Sequence, residues 1–144
     1  MSAQVRLAGP ADLTSAYSLR HEVFVLEQGV PVEMEIDADD ETAVHAVAFD
    51  ADRLVGTGRL VLPAAHGGVA VNGRLAVTEA VRGRGVGATV LALLERTAVE
   101  RGCRQVELHA QVDATGFYDR AAYRRTGEVY LEAGIEHVTM VKDL

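Results

Sequence analysis

No stretch of this chain approaches the ~18 consecutive apolar residues of a membrane-spanning helix, so a helical span is excluded. A single cysteine, Cys103, cannot form an internal disulfide, which suits a reducing compartment. The N-terminus lacks the basic, apolar, small-residue order of a signal peptide, and the expectation is a cytoplasmic protein with no membrane partner. Surplus positive charge is missing as well. A net charge of −7 argues against a protein whose main task is gripping nucleic acid. Lys142 is the sole lysine, the other cations being arginines, a composition bias to which no function is attached. The histidines and the lone cysteine offer no HxH, HExxH or paired-cysteine spacing, so no metal is expected. No repeat, low-complexity tract or linker divides the 144 residues, which read as one domain over 1–144 burying roughly two-thirds of its unfolded surface.

What the chain does have is a glycine-rich turn, Arg82-Gly83-Arg84-Gly85-Val86-Gly87, between an apolar strand and an amphipathic helix. The amides of a first helical turn lack internal acceptors, and the helix dipole adds about half a positive charge there. Phosphate is the natural guest of such a turn. Gly83, Gly85 and Gly87 clear the approach to the backbone, while Arg82 and Arg84 supply charged donors. A P-loop would place Lys and Ser or Thr after the last glycine, whereas Ala88 and Thr89 follow Gly87. A dinucleotide fingerprint would read GxGxxG, whereas the spacing here is GxGxG.

Periodicity and turn residues predict the remaining elements. Gln4 to Ala8 reads as a strand and Pro10 to Glu27 as a helix stopped by Gly29 and Pro31. The acidic block of Glu33, Glu35, Asp37, Asp39, Asp40 and Glu41 then reads as a loop, while Arg74, Arg82 and Arg84 are expected to cluster near the glycine turn. Strands come at Thr42 to Phe49 and Arg53 to Leu62, joined as a hairpin through Asp50, Ala51 and Asp52. After a turn at Pro63 to Gly68, Val69 to Val77 is a strand in which Gly73 marks a bulge or close approach. A helix at Ala88 to Arg101, a strand at Gln105 to Ala110 and a short helix at Ala114 to Tyr123 come next. Strands at Glu128 to Leu131 and His137 to Lys142, turned at Ala133 and Gly134, close the chain. The order β α β β β α β α β β gives an α/β (α+β) fold, a mixed sheet with helices on its faces.

RxxGxG from Arg82 to Gly87, placed after a strand, resembles the pyrophosphate-binding motif of the GNAT superfamily of acyl-CoA N-acyltransferases. The element order is similar to the GNAT fold too, a twisted, mostly antiparallel sheet. Within the superfamily, LRHEVFVLEQGVP at Leu19 to Pro31, HAVAF at His45 to Phe49, GRLAV at Gly73 to Val77, GFYDRAAY at Gly116 to Tyr123 and EAGIEHVTM at Glu132 to Met140 resemble the ElaA-like branch. The resemblance implies acetyl transfer from acetyl-CoA, as cosubstrate, to a primary amine of a small molecule or peptide by direct attack in a ternary complex. Two alternatives remain open: a non-catalytic acyl-CoA sensor, and a relative of acyl-homoserine-lactone synthases. A homodimer is also left open.

On this reading, the amides of Gly83, Arg84, Gly85, Val86, Gly87 and Ala88, with Arg82, hold the diphosphate. The backbone of Leu75, Ala76 and Val77 pairs with the pantetheine arm in the manner of strand addition. An N–H near Val77 would stabilise the tetrahedral oxyanion. Tyr118 matches the tyrosine that lies beside the thioester sulfur in many GNAT enzymes, and is the expected proton donor to the departing thiolate. An alkyl ammonium with a pKa near 10 must lose a proton before it attacks, so a base is required. His109 is the leading candidate, with His45, His137, Glu79 and Glu33 behind it. The resemblance also puts Arg20, Glu27 and Gln28 on the acceptor side, with His45 and His137 as further substrate contacts. His21 and His66 read as solvent-exposed, and Tyr123 as structural.

Overall fold

Alternating apolar residues from Val44 to Val77 build a three-stranded meander whose first two strands are joined by a tight turn at Ala51 and Asp52. In the computed structural model, which describes residues 3–64 and 67–144, its strands are β2 (Val44–Asp50), β3 (Arg53–Val61) and β4 (Val69–Val77). The turn expected at Pro63 to Gly68 contains Ala65 and His66, which lie outside the described residues. With β1 (Gln4–Leu7), β5 (Gln105–Gln111), β6 (Arg124–Glu132) and β7 (Ile135–Asp143), they form one sheet in the order β1-β2-β3-β4-β5-β7-β6. Every pairing is antiparallel except β4 with β5.

The first helical run changes pitch along its length. After a 3₁₀ turn at Pro10–Asp12, α1 (Leu13–Arg20) passes into a π-helical stretch at His21–Glu27, closed by Gln28 N–H donating to Val23 C=O at 3.2 Å. An apolar pattern over so few turns does not separate the two pitches, so the sequence reads as one helix. The acidic block folds as an arm rather than an open loop, through α2 (Val32–Glu35) and a 3₁₀ turn at Ala38–Glu41.

α3 (Val86–Glu100) buries Val86, Val90, Leu91, Leu94 and Ala98, one stripe at helical spacing. Two glycines of β3 let it lie hard against the sheet. A Cβ at Gly56 would stand 2.8 Å from Val86 Cγ1, and one at Gly58 3.0 Å from Val90 Cγ1. On β4, Leu75 and Val77 pack into the α3 cluster while Ala76 packs with Leu19 and Val23, so the first helix and α3 cover opposite faces.

Two irregularities of β4 open the sheet near its centre. Its ladder with β3 slips between Thr57–Ala76 and Arg59–Gly73, with Arg74 at φ +52°, a bulge carrying one extra residue. Its parallel ladder with β5 covers only Val69 to Asn72 against Gln105 to Leu108. Beyond that point the strands part. α4 (Thr115–Arg120) comes after β5 and ends before Tyr123 because Ala122 sits at φ +73° and Tyr123 N–H returns to Tyr118 C=O at 3.0 Å. β6 starts four residues earlier than expected. It is an exposed edge strand with no apolar alternation to announce it. No helix among the described residues is long and apolar enough to cross a membrane.

Candidate active site

A cavity of about 510 Å³ occupies the gap where β4 and β5 separate. Phe24, Gln28 and the arm residues Met34, Glu35 and Asp37 form one bank; Asn72 to Leu75 lie along β4; Leu108, His109, Gln111, Tyr118 and His137 form the other bank. Gln111 Nε2–H donates to Gln28 Oε1 at 2.6 Å, tying the end of β5 to the end of the first helical run.

The arm is held by charge. Arg20, 1% exposed, donates to both Glu35 carboxylate oxygens and to both of Asp40, the shortest contact being 2.7 Å to Asp40 Oδ1. Arg59 bridges Asp37 and Asp40 at 2.7 and 3.0 Å, and Arg74 reaches Glu35 and Asp37 at 3.0 and 3.3 Å. Burial by itself would raise the Asp40 carboxyl pKa, but hydrogen bonds from Arg20, the Asp37 amide and Arg59 hold it well below the usual carboxylate range. Three arginines from three elements thus neutralise three carboxylates. This corrects the reading of the block as a loop and of Arg74 as part of the cluster at the glycine turn. Arg20 does not reach the cavity. It fixes the arm that walls it.

Past β4, a 3₁₀ turn at Glu79–Val81 leads to Gly83 and Gly85, both left-handed at φ +81° and +83°, and Gly85 caps α3. A Cβ at either would meet nothing within 4 Å, so the loop lies open. Among the described residues, no backbone acceptor takes the loop amides of Gly83 to Gly85, and Val86 to Ala88 head a helix whose first amides have none. The loop thus presents a run of backbone amides without backbone acceptors at the head of α3. Arg84 is exposed and makes no ion pair among the described residues. Arg82 is engaged locally: Nε–H donates to Val77 C=O at 2.9 Å, and Nη2–H to Glu27 at 2.9 and 3.0 Å.

Thr78 N–H donates to Val55 C=O at 2.9 Å, so alternation in the ladder turns the Ala76 backbone toward β3 and the Val77 N–H toward the opening. Tyr118 lines the cavity, edge-on to Phe117 at 5.0 Å and to Tyr123 at 5.9 Å. Burial pushes its hydroxyl up to about 12. Tyr123 O–H donates to Glu95 at 2.7 Å inside the core.

The candidate bases separate clearly. His109 and His137 both line the cavity with Glu132. His109 Nε2 lies 3.2 Å from Glu107, and Glu132 lies 3.9 Å from His109 Nδ1 and 3.6 Å from His137 Nε2. His137 Nδ1–H donates to Ile135 C=O at 2.7 Å, which leaves Nε2 facing Glu132. His45 stands away from the cavity. Its Nε2–H donates to Asp40 C=O at 2.9 Å beneath the arm. Glu33 and Glu79 are exposed and do not line it. Sequence reasoning omits Phe24, Gln111 and Asn72. Only Asn72 leaves a local sign, a lone carboxamide inside an apolar strand.

The chain matches the acetyltransferase (GNAT) domain family over residues 11–144. It is 38% identical over 132 residues to the uncharacterized N-acetyltransferase YjcF of Bacillus subtilis, covering 91% of this chain and 92% of that one. An acyl-CoA N-acyltransferase from Pseudomonas aeruginosa superposes with a TM-score of 0.85 at 32% identity, over 98% of this chain and 99% of the other. Escherichia coli ElaA gives a TM-score of 0.83 at 30% identity, over 98% of each chain. An open amide loop at the head of α3, a parted β4–β5 pair and agreement over almost the full length of each relative lead to one assignment: the chain belongs to the GNAT acetyltransferase family, with ElaA among its relatives.

Proposed function

We propose that this chain transfers an acetyl group from acetyl-CoA to a primary amine of a small molecule or peptide, by direct attack within a ternary complex. The observation that carries the reading is that one strand serves both needs. β4 walls the cavity at Asn72 to Leu75 and leads, through the single 3₁₀ turn at Glu79–Val81, into the open amide loop. Family membership supports a CoA thioester as donor.

Gly83 to Ala88 would hold the diphosphate through backbone amides, with Arg84 adding positive charge and Arg82 bracing the loop against Val77 and Glu27. The outward backbone of Val77, with that of Leu75, would pair with the amide-bearing arm as a further strand does, which carries the acyl carbonyl past Leu75 toward the cavity. Glu35 and Asp37 are neutralised by arginine, whereas Asp39 and Glu132 line the cavity with no arginine or lysine partner among the described residues. Those carboxylates favour a cationic amine over an anionic acceptor.

His109, beside Glu107, takes a proton from the ammonium. The amine nitrogen then forms the C–N bond as the C–S bond breaks, and the proton that the nitrogen sheds on becoming an amide passes to the departing thiolate, which leaves as the CoA thiol. Tyr118, protonated throughout the neutral range, hydrogen-bonds the thiolate as it departs. Thiol release from acetyl-CoA across a panel of amines tests the proposal. Amine-dependent release is expected; tight CoA binding without release by any amine overturns turnover in favour of a sensor.

A further inference from the structure

Asn72 occupies a position that neither folding nor the proposed chemistry explains. It is 2% exposed, yet its Oδ1 and Nδ2 have no hydrogen-bond partner among the described residues. Its ladder partners are Leu60 on β3 and Leu108 on β5, and Leu108 pairs in turn with Met140 on β7. The row across the sheet is thus Leu60, Asn72, Leu108, Met140, and its other three members belong to the hydrophobic core. An aliphatic residue would satisfy the row, whereas an amide buried with both halves unpaired costs stability and contributes none. Asn72 also lines the cavity, at the last residue where β4 and β5 remain paired.

Position supplies the chemistry. If the diphosphate lies at Gly83 to Ala88 and the arm runs back along β4, the acyl end approaches the closed end of the gap. The five residue steps from Val77 to Asn72 span roughly 17 Å of strand, comparable to an extended pantetheine arm. A carboxamide offers both donor and acceptor, and a hydroxyl offers the same pair in return.

We infer that Asn72 forms an acyl-end subsite that selects CoA thioesters whose short acyl chain carries a hydroxyl group over their unsubstituted counterparts. This rests on the thioester reading proposed above. A site built to hydrogen-bond a hydroxyl discriminates against the analogue lacking it, because its own polar atoms are then left unpaired.

Calorimetric titration of the full chain with CoA, butyryl-CoA and 3-hydroxybutyryl-CoA tests this without knowledge of the acceptor. The wild type should bind the hydroxyacyl thioester about tenfold more tightly than the butyryl one. Asn72→Leu, or Asn72→Ala if the leucine variant does not fold, should erase that ratio while leaving affinity for unacylated CoA unchanged. Equal wild-type affinities for the two thioesters would mean that ordered water fills the subsite, and would overturn the inference alone. Survival of the ratio in the variant would overturn it too. Failure of unacylated CoA to bind the wild type would instead remove the thioester reading, and this subsite with it.

Discussion

At the scale of single residues, Tyr118 and Gly85 make opposite contributions, one through a side chain and one through its absence. Burial raises Tyr118 to about 12, above the roughly 8.5 of a free thiol, so complete proton transfer to the thiolate runs uphill. The hydroxyl is better suited to hydrogen-bonding the leaving group. Tyr118→Phe should therefore lower kcat by about 10²-fold and leave the acetyl-CoA KM within about twofold. Because the hydroxyl stays protonated to about pH 11, the pH–rate profile should fall evenly without changing shape. An unaltered kcat would leave Tyr118 as packing between Phe117 and Tyr123. Gly85 sits at φ +83° with open space where a Cβ would go. Gly85→Asp fills that space with bulk and negative charge, in a conformation that aspartate tolerates better than most residues. CoA binding should be abolished while the far-ultraviolet dichroism is retained. Unchanged affinity by calorimetry would mean that the diphosphate is held elsewhere.

Among the elements, the arm and α3 are positioned by different forces. The arm depends on ionised carboxylates, and Asp40 has the clearest shift. Its folded pKa lies below its unfolded value, so its stabilising effect is complete above about pH 5 and fades as pH falls through about 4 and lower. Melting temperature followed from about pH 6 to about pH 2 should drop steeply in that window for the wild type. Asp40→Asn should start lower and fall less; parallel curves would show that the arm carries no acid sensitivity. α3 is placed by steric fit instead. Gly56→Ala forces a methyl to 2.8 Å from Val86 Cγ1, at the first residue of the helix that presents the loop amides. Overpacking of this kind costs about 1–3 kcal/mol. Thermal melting should register that cost, and CoA affinity should fall with it because the cradle moves with the helix. β4, the glycine loop and α3 are legible in the sequence to within two residues, since apolar period and glycine punctuation are local signals. The arm is not, because its order comes from Arg20, Arg59 and Arg74, which lie 15 to 39 residues from the carboxylates they bind. The first half of β6 escapes for the opposite reason: an exposed edge strand buries nothing that would impose an alternation.

Across the whole molecule, the sheet consists of two blocks, β1 to β4 and β5-β7-β6, joined edge to edge by only four residue pairs. That division was legible only as a strand order. The point of separation depends on where Asn72 meets Leu108 and on the bulge at Arg74, neither of which a one-dimensional pattern contains. A ligand lying between the blocks while anchored at the head of α3 would supply contacts that the parted strands lack. It would bind the folded state alone, so stability should rise with its concentration as mass action requires, by about 2.7 kcal/mol at a hundredfold excess over Kd. For a chain of this size that corresponds to roughly 8 °C in melting temperature. CoA should produce this shift in the wild type and none in Gly85→Asp. Pantetheine carries the arm without the diphosphate, so it should need a far higher concentration to reach the same shift. Equal potency of the two compounds would move the anchor from the amide loop to the cleft itself.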